Sequence, residues 1–118
     1  MKPSMTPSEV TPEKVRASLI ALLALFSDAS KWTQRAWARK ASGEETDPMD
    51  PEATCFCLAG GVQKVTDNGS NPRFNPLRRA VNMALMAQTS QTHFLGSFND
   101  RATFEEVHTV IVKALAEA

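Results

Sequence analysis

The sequence predicts a mainly α fold, a small bundle of about four helices with an irregular or short β-hairpin insertion between the first two. Three observations predict it. Apolar residues recur at helical spacing in separate segments, and each segment opens on a proline or a capping residue. The stretch from Lys31 to Met49 lacks that periodicity and carries Trp32, Trp37, Gly43, Thr46 and Pro48 instead. A dense run of turn residues, Asp67-Asn68-Gly69-Ser70-Asn71-Pro72, divides the second half of the chain.

The first helix starts at Thr11-Pro12-Glu13, where threonine can cap free amides, proline tolerates the first helical position and an acid complements the helix dipole. Val15, Leu19, Leu22 and Phe26 form its apolar stripe, which Ile20 and Leu23 are expected to widen. Ser27-Asp28-Ala29-Ser30 ends it, and a hairpin in the insertion would turn near Gly43. Asp50-Pro51-Glu52 repeats the start signal, so a second helix is expected from Pro51 to Val65, with Leu58, Val62 and Val65 inward. After the turn run, Asn75-Pro76 opens a third helix reaching to about Gln88. It would bury Leu77, Val81, Ala84 and Leu85 and turn Arg78, Arg79 and Asn82 to water. Gly96 and Ser97-Phe98-Asn99-Asp100 read as a turn. Thr103-Phe104-Glu105-Glu106 has the capping-box pattern and starts a last helix, with Phe104, Val107, Ile111, Ala114 and Leu115 facing the first. These elements predict a flexible N-terminal tail over residues 1–10 and a single helical domain over residues 11–118.

The chain has 118 residues, enough for one core, and its 42% hydrophobic and 22% charged content is that of an ordinary globular protein. Thirteen basic residues meet thirteen acidic ones, and neither half is polarised. The counterion-releasing basic stripe of a nucleic-acid binder is absent, which argues against DNA or RNA as partner. The longest apolar run, Leu19 to Phe26, is far short of the roughly 20 residues that span a bilayer. The N-terminus lacks the order of a secretion signal. Cys55 and Cys57 are too close in sequence for an ordinary stabilising disulfide, so a reducing, cytoplasmic setting is expected.

Several segments together carry a resemblance. Trp32-Thr33-Gln34 runs to Gly43, Cys57-Leu58-Ala59-Gly60-Gly61 follows, and Phe98-Asn99-Asp100 precedes Thr103-Phe104-Glu105-Glu106-Val107. This order resembles an uncharacterised domain family of bacteria and their phages with Cys-x-x-Gly-Ala and Trp-Asn-Asp motifs and no established activity. The chain departs from that pattern at Gly61, in place of alanine, and at Phe98, in place of tryptophan. The resemblance implies the fold and a phage-related or accessory setting, and implies no chemistry.

Two classes of function stay open. The first is a non-catalytic interaction domain whose binding residues would be Trp37, Trp32, Arg35 and Arg39, since tryptophan and arginine are favoured at interaction hot spots. In that reading Trp32 packs inward, Trp37 sits among polar neighbours, and Met83 and Met86 offer a second adaptable surface. The alternative is a cysteine-dependent hydrolase or transferase with Cys57 as nucleophile, His93 as base and Asn99 or Asp100 orienting the base. Against it, Cys57 lies about two turns inside the predicted second helix, and the resemblance supplies no match for His93. Close packing by a small-residue patch is the competing explanation of Cys57, Gly60 and Gly61, and a local turn that of Asn99 and Asp100. Cys55, Cys57, His93 and His108 are of zinc-ligand type but poorly spaced, so no metal and no cofactor are expected. The sequence thus leans away from catalysis toward a protein partner of unidentified nature, with no membrane, and leaves self-association open.

Overall fold

The capping chemistry at the start of the chain organises the first helix as the sequence predicts. In the computed structural model, which describes residues 10–67, 75–89 and 95–118, the Thr11 side chain accepts a hydrogen bond from the Lys14 amide, and helix α1 runs over Pro12–Leu25. Leu19, Leu22 and Phe26 are fully buried. Ile20 does not widen the stripe: it is 50% exposed, because neighbouring residues of a helix are about 100° apart and Ile20 turns away from the side that buries Leu19 and Leu22. Of the expected tail, residues 1–9 lie outside the described residues, while Val10 packs against the core.

The insertion is a small antiparallel sheet. A short 3₁₀ turn, Ala29–Lys31, is capped by Asp28 and leads to β1 (Ala38–Lys40), β2 (Glu45–Thr46) and β3 (Ala53–Phe56), in the order β2-β1-β3. The hairpin between β1 and β2 turns at Gly43, as expected, with φ of +90°. An L side chain rarely adopts that conformation, so glycine is required there for backbone reasons.

The second helix departs from expectation in where it begins. Asp50-Pro51-Glu52 makes a turn and not a helix start: the Asp50 side chain accepts from the Glu52 amide at 2.9 Å and from the Thr46 hydroxyl. Aspartate before proline satisfies amides in either setting, which is why the pattern misleads. Ala53–Phe56 then pairs with β1, Ala38 opposite Phe56 and Arg39 opposite Cys55. Helix α2 begins only after Cys57 and spans Leu58–Thr66.

Residues 68–72 of the turn run lie outside the described residues. Helix α3, Pro76–Met86, is capped by Asn75, whose side chain accepts from the Arg78 amide at 3.1 Å and donates to the Thr66 carbonyl at 3.0 Å, tying α3 to the end of α2. Where a turn was expected, Leu95–Asn99 forms a short helix, α4, and the chain turns only at Asp100. Thr103 and Glu106 close the predicted capping box, and α5 runs over Phe104–Glu117. α5 packs on α1, where the Arg16 guanidinium donates to the Leu115 carbonyl at 3.2 Å. The architecture is mainly α, with five helices among the described residues and a three-stranded sheet between α1 and α2. One apolar cluster joins α1, α2, α3 and α5, with Leu58, Val62, Val81, Leu85, Val107 and Ile111 at its centre. Among the described residues no helix is long and apolar enough to cross a membrane.

Candidate functional site

Asn99, at the end of α4, is fully buried and joins three parts of the chain. Its Oδ1 accepts from Trp32 Nε1 at 2.6 Å and from the Leu58 amide at 3.0 Å, and its Nδ2 donates to the Thr33 carbonyl at 3.0 Å. The Gln34 side chain returns the contact, donating to the Asn99 and Ala102 carbonyls at 3.0 Å each. Asp100 Oδ1 accepts from the Arg35 amide at 2.8 Å. Asn99 and Asp100 are therefore long-range latches on the Trp32–Arg35 segment and not a local turn. With the second Nδ2 hydrogen directed to Asp100 Oδ1 at 3.5 Å, Asn99 has no acceptor or donor left with which to orient a histidine.

The latched segment forms one wall of an open cleft of about 590 Å³. Arg35 and Trp37 stand on this wall, Cys57 and Ala59 come from the start of α2, Arg78, Asn82 and Met86 from α3, Leu95 from α4 and Asp100 from the turn that follows it. The wall is fixed at two backbone points. Arg35 is held at φ +61°, and the Trp37 carbonyl accepts from the Cys57 amide at 3.1 Å. Gly60 makes that second approach feasible, because a Cβ there would lie 2.1 Å from the Trp37 oxygen. Gly61 does the same for Phe26, whose ring would lie 2.7 Å from an added Cβ. Close packing accounts for both glycines.

Cys57 is the N-cap of α2 and not a residue two turns inside it. Its Sγ accepts from the Gly60 amide at 3.2 Å, so Cys-x-x-Gly is a cap and its partner three residues on. Only 6% of the residue is exposed. Burial pushes its thiol above the ordinary value; the Gly60 and Ala59 amides oppose the rise and the Asp100 carboxylate adds to it. His93 lies outside the described residues. His108 sits on α5 with its ring 6.0 Å from that of Phe104, and among the described residues no three His, Cys, Asp or Glu side chains are placed to hold a metal.

Of the four residues expected to bind, the structure brings Arg35 and Trp37 together and turns the other two inward. Trp37 is 51% exposed. Trp32 is half-buried, bonded to Asn99 and tilted against Phe104 with ring centroids 6.1 Å apart. Arg39 spends its guanidinium on Thr33, Gly43 and Gln34. Sequence reasoning placed Arg78 and Asn82 simply toward water, whereas their spacing of four residues, continued by Met86, lines them along the cleft.

With this geometry established, comparison with known proteins gives one match. Residues 10–117 fit the model of a family of unknown function, DUF6197. The chain belongs to that family. No curated protein and no solved structure matches it. The DUF6197 match extends from Val10, the first residue packed on the core, to the last residue of α5. The residues that carried the resemblance have structural work in this DUF6197 chain: Cys57 caps, Gly60 admits Trp37, Asn99 and Asp100 latch, and Thr103 with Glu106 closes a capping box.

Proposed function

We propose that the protein is a small non-catalytic interaction domain that binds a protein partner at the cleft beside Trp37. The observation that carries this reading is the half-exposed indole on a wall whose backbone is pinned from two sides. A large rigid aromatic beside an open cleft gains contact area on binding and loses little conformational freedom. Two free cysteines favour a cytoplasmic setting, and the small size suits an accessory role of the kind that phage proteins play. Catalysis at Cys57 is less well supported: the thiol is buried, raised and occupied as a cap, whereas nucleophilic cysteines are exposed and lowered.

The test is affinity capture from the native host lysate with wild type, Trp37→Ala and Met83→Ala, each first checked for native helicity. Met83 is 64% exposed on α3 and lies outside the cleft, so it controls for loss of any surface apolar group. A partner retained by wild type and Met83→Ala and lost by Trp37→Ala supports the reading. Equal retention by Trp37→Ala refutes it.

A further inference from the structure

Arg35 stands out among the described residues as the one non-glycine residue with positive φ. Arginine gains nothing intrinsically from the left-handed region, and such conformations persist only where the surroundings over-determine them. Here the surroundings are Asp100, which takes the Arg35 amide, and Gln34, which ties the preceding residue to the α4–α5 link. The effect of this fastening is to hold the Arg35 side chain on the cleft wall two residues from the exposed indole of Trp37. The guanidinium makes no hydrogen bond or ion pair with any described residue, and the ion pairs that form nearby, Lys40 with Glu44 and Glu52, do not involve it. Asp100 Oδ1 takes the Arg35 amide and the Asn99 side-chain amide, and its carboxylate forms no ion pair with the Arg35 guanidinium. An unpaired guanidinium and a half-exposed indole on one pinned loop are the two side-chain types that dominate interaction hot spots, already organised before binding.

We propose that the Arg35–Trp37 loop recognises a short acidic–apolar peptide segment of a partner protein, in which a carboxylate pairs with the Arg35 guanidinium and a neighbouring bulky apolar side chain packs on Trp37 in the cleft. This rests on the reading of the cleft as a protein-binding site. The cleft suits that occupant. Arginine binds carboxylate through two parallel N–H bonds, and Met86 and Ala59 give the apolar side chain a surface. Glu45 and Asp100 line the cleft together with Arg35 and Arg78, so its lining carries no net charge, which disfavours a run of phosphates and suits a single carboxylate flanked by apolar groups.

The test uses Arg35→Gly, because glycine accepts positive φ freely while losing the guanidinium. If Arg35 is held for binding, Arg35→Gly melts at the wild-type temperature or above it. A lowered melting temperature would show a structural role and overturn the proposal. Binding is read with a displayed random dodecapeptide library panned on the wild-type protein. Enriched sequences are expected to pair Asp or Glu with a bulky apolar residue, to weaken at least tenfold on Arg35→Gly, and to weaken equally when the acid is replaced by its amide. Peptides without an acid that depend on Trp37 and not on Arg35 would overturn the inference and leave the Trp37-centred function standing. Peptides indifferent to both residues, or no enrichment, would overturn both. Tight Arg35-dependent binding of a single-stranded 20-mer oligonucleotide would overturn the peptide assignment in favour of nucleic acid.

Discussion

Replacing Asn99 by alanine should cost more stability than any exposed substitution, and the structure gives the size. The Asn99 amide satisfies the Trp32 indole N–H, the Leu58 amide and the Thr33 carbonyl, and the residue itself is 0% exposed. Each buried group left without a partner costs about 1–3 kcal/mol. The indole is half-buried and can recover water, so it contributes at the low end; the Leu58 amide is a first-turn donor of α2, for which Asn99 is the partner. A loss of about 3–5 kcal/mol follows, a large share of the roughly 5–15 kcal/mol that holds a typical domain. Equilibrium urea unfolding at neutral pH measures it, as a lowered midpoint at unchanged slope. Pairing Asn99→Ala with Trp32→Phe in a double-mutant cycle should give a coupling of about 1 kcal/mol, because either change alone removes the same bond. A loss below about 1 kcal/mol for Asn99→Ala, or additivity in the cycle, would refute the latch.

The other predictions concern the turn, the close approach and the thiol. Gly60→Ala should destabilise by about 2 kcal/mol or more despite the better helix propensity of alanine, because its Cβ meets the Trp37 carbonyl at 2.1 Å, and backbone cannot rotate aside as a side chain does; thermal unfolding by circular dichroism checks it. Gly43→Ala meets nothing within 4 Å and should lose only the left-handed penalty of about 1–2 kcal/mol, read by urea unfolding, with Gly43→Asn losing less. Cys57 should react with iodoacetamide more slowly than the half-buried Cys55, as mass spectrometry of partly labelled protein would show. The raised thiol also fixes a sign. The unfolded chain ionises first, so stability is intact below the ordinary thiol range and falls as pH rises through it toward the folded value. Cys57→Ser keeps a capping oxygen and should abolish that alkaline loss.

What was legible in the sequence was whatever depends on neighbours in sequence. Thr11, Asn75 and Thr103 are caps whose partners lie three residues on, and all three cap helices where expected. The hairpin at Gly43 followed from one glycine in a stretch without helical period. The start of α2 was not legible, because Asp50-Pro51 satisfies local amides equally well in a turn, and only pairing with β1 decides between them. The same error put Cys57 inside a helix. Recognising a sulfur as an N-cap needed the knowledge that β3 ends at Phe56. Of the candidate site, Trp37 and Arg35 were named as residue types, but their shared wall depends on Asp100, 65 residues away. No periodicity reports a bond of that separation.

The latches and the cleft have different requirements, and this bears on where function resides. Asp100, Gly60 and Cys57 act through backbone partners, and Asn99 does so at Leu58 and Thr33 beside its one side-chain bond to the Trp32 indole: amides and carbonyls that any sequence of the same fold would present. A change at these positions alters the shape of the Arg35–Trp37 loop whatever side chains the loop carries. The side chains at 35 and 37 are under no such constraint. The Arg35 side chain and the Trp37 ring can be exchanged without breaking a described hydrogen bond, since the loop is fastened through the Arg35 amide and the Trp37 carbonyl. The fold therefore supplies a fixed loop beside a cleft and leaves its two exposed side chains out of the fastening, as the proposed binding site requires. Within this chain the choice is an arginine in a conformation that favours glycine and a tryptophan half in water. Neither side chain makes a described hydrogen bond that would explain the choice, and the proposed recognition of a ligand would account for both.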